Sequence, residues 1–70
     1  MNCIIIEDEL PAQIILKSYL RKIPDITLKE TFQTALSANT FLKENTVDVI
    51  FLDINLPDIS GLDFIKTVKN

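Results

Sequence analysis

Two apolar runs along the chain end in acid. Cys3, Ile4, Ile5 and Ile6 lead into Glu7, Asp8 and Glu9, and the run 47–52, with Val47, Val49, Ile50, Phe51 and Leu52, leads into Asp53. Both runs are short and rich in β-branched or aromatic residues, which suits strands better than helices. Runs that are apolar on both faces fit a parallel sheet covered by helices. Pro57 and Gly61 then mark a loop before the chain turns helical again.

Between the runs the period changes. After Pro11, which fits the first turn of a helix, Ala12, Ile15, Leu16, Tyr19, Leu20 and Ile23 recur at helical spacing. They predict one core-facing stripe, with Gln13, Lys17, Ser18, Arg21 and Lys22 opposite and Ile14 off the stripe. Basic residues gather in its last turns, where they complement the helix dipole, and Pro24 ends it. Residues 26–32 alternate, with Ile26, Leu28 and Phe32 on one face and Glu30 interrupting it, the pattern of a sheet edge. Thr34 or Ser37 is placed to cap a second helix through Glu44 that turns Ala35, Ala38, Phe41 and Leu42 inward, with Asn45 closing it. Ser60 and Asp63 resemble a capping box before a third helix, in which Leu62, Ile65 and Val68 repeat beside Phe64. The expected architecture is α/β, in the order β-α-β-α-β-α, with parallel strands and helices on both faces of the sheet.

Composition narrows the function classes. A chain of 70 residues is one small domain at most, with a modest core. Its net charge of −3 argues against direct nucleic-acid contact by this segment. The single cysteine, Cys3, reads as a small core residue in a reducing compartment. No apolar run is long enough for a membrane span, and the start carries no basic leader. The expectation is a soluble cytoplasmic protein.

The acids carry the chemistry. If the two strands are neighbours in a parallel sheet, Glu7, Asp8 and Asp53 meet at its carboxyl edge, where α/β sheets place their ligands. Carboxylates so close either share a proton or bind a cation. A chain without histidine, offering oxygen donors, favours a hard ion. Mg²⁺, which takes one or two carboxylates together with phosphate oxygens, fits that set and points to phosphoryl transfer.

The residues 4–9, IIIEDE, followed by 51–61, FLDINLPDISG, resemble the receiver domain of bacterial response regulators. The stretch from Asp53 to Gly61 is similar to the family pattern D-x-x-(M/L)-P-x-x-(S/T/D)-G, and the resemblance extends over all 70 residues. The acid pair and the FLDI stretch look most like receivers joined to LytTR-type DNA-binding domains. The resemblance implies a flavodoxin-like (CheY-like) fold of five strands in the order 2-1-3-4-5. Residues 1–70 would be its N-terminal part, with strand order 2-1-3 and without the fourth and fifth strands or an output domain. It implies Asp53 as the phosphoacceptor, Asp8 as a direct Mg²⁺ ligand and Glu7 as a ligand through water. Glu7 stands where the family more often has Asp and has one more methylene of reach. Asn55 would lend its backbone carbonyl to the metal, and Pro57 and Gly61 would shape the loop. The implied partner is a sensor histidine kinase, and the parent protein a DNA-binding transcriptional regulator rather than an enzyme.

In the order 2-1-3 the third strand lies at an edge although its sequence suits a centre. The expected consequence is a homo-oligomer, an exchange of elements, or aggregation. A rival reading is a non-phosphorylatable interaction fragment that assembles through that edge. A phosphatase-like enzyme with Asp53 as nucleophile is disfavoured, because D-x-D hydrolases need a second acid where Asn55 stands.

Overall fold

The computed structural model describes residues 1–53 and 56–69, with Gly61 and residues 67–69 described by their backbone alone. Its elements follow the expected order: β1 (Asn2–Ile6), α1 (Leu10–Leu20), β2 (Thr27–Phe32), α2 (Ala35–Glu44), β3 (Val49–Leu52) and α3 (Gly61–Lys69). The sheet runs β2-β1-β3, with both pairings parallel. The central strand is therefore β1, and Cys3, Ile4, Ile5 and Ile6 are fully buried in it. β3 begins at Val49 rather than Val47, and all four of its residues are half-buried.

Strand alternation sends side chains to two cores. Ile4 and Ile6 join Ala35 and Ala38 of α2, Phe64 of α3 and the loop residue Leu56. Cys3 and Ile5 join Leu20 of α1, with Leu16, Ile26, Leu28, Val49 and Phe51 packed around them. Cys3 is thus the buried core thiol that the sequence suggested, and burial raises its pKa.

β2 departs from simple alternation. Its register slips between Cys3 and Ile4, where the partner changes from Leu28 to Glu30. The extra residue reverses the facing of everything beyond it. Leu28 packs on the α1 side and Phe32 on the opposite side, where it meets Phe41 at a ring distance of 5.3 Å. The shared face expected for Ile26, Leu28 and Phe32 is therefore divided by a bulge.

The helix caps formed largely as the sequence suggested. Thr34 accepts from the Ser37 backbone N–H at 3.2 Å, Asn45 donates from its amide to the Phe41 carbonyl at 2.9 Å, and Ser60 accepts from the Asp63 backbone N–H at 3.1 Å. The inward residues of α2 are those expected: Ala35 and Ala38 are buried, and Phe41 and Leu42 pack against them. The other two helices are turned differently. α1 stops at Leu20, so Ile23 lies beyond it. Its buried residues are Gln13 and Leu20, whereas Ile15 and Tyr19 are 56% and 62% exposed. So many of its residues are apolar that their period leaves its rotation open, and packing on Cys3 and Ile5 decides it. In α3 the anchor is Phe64, while Leu62 and Ile65 face solvent; the side chain of Val68 lies outside the described residues.

Candidate metal and phosphoacceptor site

The parallel pairing ends with Ile6 opposite Leu52. One step further, the Asp53 N–H donates to the Ile6 carbonyl at 3.0 Å and the Glu7 N–H donates to the Phe32 carbonyl at 2.9 Å. Three strands therefore finish level, and their continuation puts the acids side by side. Carboxylate oxygens of Glu7, Asp8 and Asp53 lie within 4.8 Å of one another, and all three residues are half-buried.

The charges strain this arrangement. Burial pushes the Glu7 carboxyl above the usual glutamate range, and Asp53 and Asp8 beside it push the same way; a hydrogen bond from the Glu9 N–H pulls it partly back. That bond is 3.2 Å long. A group so placed is eased by a proton or a cation. The donor set is all oxygen and anionic, which fits a hard divalent ion such as Mg²⁺. Beside the acids a crevice of about 190 Å³ opens between α1 and β3, lined by Ile6, Glu7, Leu16, Phe51, Leu52 and Asp53.

Two features fix the loops around the site. Leu56, soon after Asp53, is buried among Ile4, Ile6, Ala35, Ala38 and Phe64. Two residues later the Asp58 carboxylate accepts from the backbone N–H groups of Ala35 at 3.0 Å and Leu36 at 2.7 Å, the first turn of α2. These bonds, with its own and the Ile59 N–H, hold Asp58 below the usual aspartate range against the opposing effect of burial. The acid pair is held in turn by amides. Gln13 donates to the Glu7 carbonyl at 2.7 Å and Gln33 to the Asp8 carbonyl at 3.3 Å.

Of the residues expected at the site, Glu7, Asp8 and Asp53 converge. Asn55 lies outside the described residues. Pro57 is exposed in the loop, and Gly61 opens α3; no described residue has a positive φ. The sequence reading missed Gln13, Gln33, Leu56 and Asp58. For Gln13 there was a usable signal: it completes a stripe with Leu16 and Leu20 at helical spacing, the position of a buried polar residue.

Comparison with known proteins gives the family and the fold. The response regulator receiver domain model matches residues 3–70, so the chain belongs to the response regulator receiver family. It is 40% identical over 62 residues to the transcriptional regulatory protein YpdB of Escherichia coli, covering 89% of this chain and 25% of that protein. It is 36% identical over 64 residues to a protein-glutamate methylesterase/protein-glutamine glutaminase of Shewanella oneidensis, covering 91% of this chain and 18% of that one. Among solved structures, the MaeR response regulator bound to beryllium trifluoride superposes with a TM-score of 0.91 at 30% identity, over 99% of this chain and 57% of that one. The response regulatory domain of MrkE from Klebsiella pneumoniae gives 0.90 at 35% identity, over 97% and 56%. The chain thus spans about a quarter of the YpdB length and little more than half of these solved chains. The CheY-like α/β fold and the two-component signalling class follow from these matches. Family members serve mostly as regulators, and some relatives are methylesterases. No helix among the described residues is long and apolar enough to cross a membrane.

Proposed function

We propose that residues 1–70 form the N-terminal part of a receiver domain in which Asp53 accepts a phosphoryl group from a sensor histidine kinase. The observation that carries this reading is the convergence of Glu7, Asp8 and Asp53 at the level ends of β1 and β3. Asp8 and Asp53, with the Asn55 carbonyl, would hold Mg²⁺ directly, and Glu7 would hold it through water. The ion would offset charge on the incoming phosphoryl group. A carboxylate oxygen of Asp53 would form the new O–P bond as the P–N bond to the kinase histidine breaks, leaving the electron pair on that nitrogen. Pro57 and Gly61 would shape the loop that follows. The parent protein would be a cytoplasmic DNA-binding transcription regulator, a reading supported by the likeness to the transcriptional regulatory protein YpdB.

The test is phosphorylation by acetyl phosphate with Mg²⁺, read by intact mass, beside binding of beryllofluoride. A single adduct that Asp53→Asn abolishes supports the reading. No adduct and no beryllofluoride response at saturating Mg²⁺ would overturn it. A second reading, assembly through β3 with the acids unused, is favoured by one observation: β3 is an edge strand whose apolar residues are all only half-buried. Self-association that persists in Asp53→Asn, without any phosphoryl adduct in the parent chain, would support it.

A further inference from the structure

We infer that Gln13 and Gln33 are positioning residues for the acid site, acting as two amide clamps on the backbone of the Glu7–Asp8 turn. The inference rests on the metal-site reading above and adds the groups that aim its ligands. Gln13 is 5% exposed and is the buried polar residue among the described ones. Burying an amide is unfavourable unless it is hydrogen-bonded, and no buried side-chain polar atom among the described residues lacks a partner. Its Nε2 donates to the Glu7 carbonyl at 2.7 Å, from one turn inside α1. From the other side, Gln33 at the end of β2 donates its Nε2 to the Asp8 carbonyl at 3.3 Å. The Glu7 N–H is already engaged by Phe32. Both carbonyls of the acid pair are therefore occupied by neutral donors, on elements that flank β1.

This arrangement answers a problem set by the charges. Three carboxylates within 4.8 Å repel one another, and the turn that carries two of them would relax outward if only its chain connections held it. α1 has no side-chain cap at its N-terminus; Glu9 occupies that place without such a bond. The restraint comes instead from the buried amide. Neutral amides hold the backbone without competing for the carboxylates, so the acid oxygens stay available to an ion. Partners behind metal ligands set affinity in this way.

The test is Mg²⁺ titration of the chain and of Gln13→Met and Gln33→Met, with the melting midpoint and backbone ¹⁵N relaxation recorded without metal. Gln13→Met preserves size and apolar contact but removes the donor. It is expected to weaken Mg²⁺ about tenfold and to raise the mobility of Asp8 and Glu9, while the melt and the order of β1 stay close to those of the parent. Gln33→Met, at an exposed position that leaves folding intact, is expected to weaken Mg²⁺ about threefold, the scale of one exposed neutral hydrogen bond. Parent-like affinity in both variants, or a loss of affinity that only tracks a lowered melt, would overturn the inference while leaving the metal site standing. Absence of Mg²⁺ uptake by the unsubstituted chain at millimolar concentration would overturn the metal-site reading itself, and this inference with it.

Discussion

The two faces of the sheet are built to different standards. On one, α2, α3 and the loop residue Leu56 close over Ile4 and Ile6, and Phe64 is 1% exposed. On the other, a single helix covers Cys3 and Ile5. Around it Val49 and Phe51 stay half-buried, and Ile14, Ile15 and Tyr19 of α1 are open to solvent. Each face has a buried core, the larger one beneath α2 and α3. The open face borders the crevice beside Glu7 and Asp53. α1 is apolar on most of its circumference, yet it is buried on one side only.

The largest effect should separate the faces directly. Phe64→Ala removes a buried ring from the sealed side and is expected to cost about 3–5 kcal/mol. A domain of this size has little stability in reserve, so the variant should be largely unfolded by circular dichroism at room temperature. Tyr19→Ser on the open side should change stability by less than about 0.5 kcal/mol in urea melts. Equal costs at the two positions would break the comparison and show that α1 packs as tightly as α3.

How far the sequence revealed this contrast depended on how many solutions each pattern allowed. The strands were legible because an apolar run ending in acid has few alternatives, and Ile6 and Leu52 do end the pairing together. The caps were legible because Thr34, Asn45 and Ser60 act on their own neighbours. The rotation of α1 was not, since Ile15 and Tyr19 match a core stripe as well as Leu16 and Leu20 do. The bulge in β2 was not, since Glu30 signalled an interruption without saying that Phe32 would change sides. At the site, the converging acids could be read from strand ends. The stripe with Leu16 and Leu20 could have turned Gln13 inward, but its bond could not be read, nor could those of Gln33 and Asp58, because each joins backbone on a different element, a relation that exists only once the chain has folded.

Asp58 sharpens the comparison on the sealed side. Its carboxylate joins the loop after Asp53 to the first turn of α2 through two backbone donors, so Asp58→Ala should cost about 1–2 kcal/mol. The folded chain holds this carboxyl below its ordinary value. Its stabilisation is therefore present in full above the ordinary aspartate range and is lost as the pH falls through the depressed folded value. Urea midpoints at neutral pH and in acid check the sign. The gap between parent and Asp58→Ala should narrow in acid, and a gap that widens would show that the carboxylate does not hold α2.

The open side should answer acid in the opposite direction, with a smaller effect than that at Asp58. Glu7 is raised above its ordinary value by burial and by the neighbouring acids. The folded chain thus binds its proton more tightly than the unfolded chain does. Stability rises as the pH falls through the raised value and is complete below the ordinary one; at neutral pH the ionised group is a liability. Glu7→Gln removes that liability and should stabilise the metal-free chain at neutral pH by less than about 1 kcal/mol, because solvent screens a half-buried group. If Mg²⁺ binds the native acids as proposed, the same substitution should reduce the stabilisation gained from it. Melting midpoints with and without Mg²⁺ measure both effects on the same two proteins. A Glu7→Gln chain that is less stable than the parent without metal would mean that the carboxylate supports the turn through Glu9 more than it suffers from Asp53, and the contrast between the faces would then rest on packing alone.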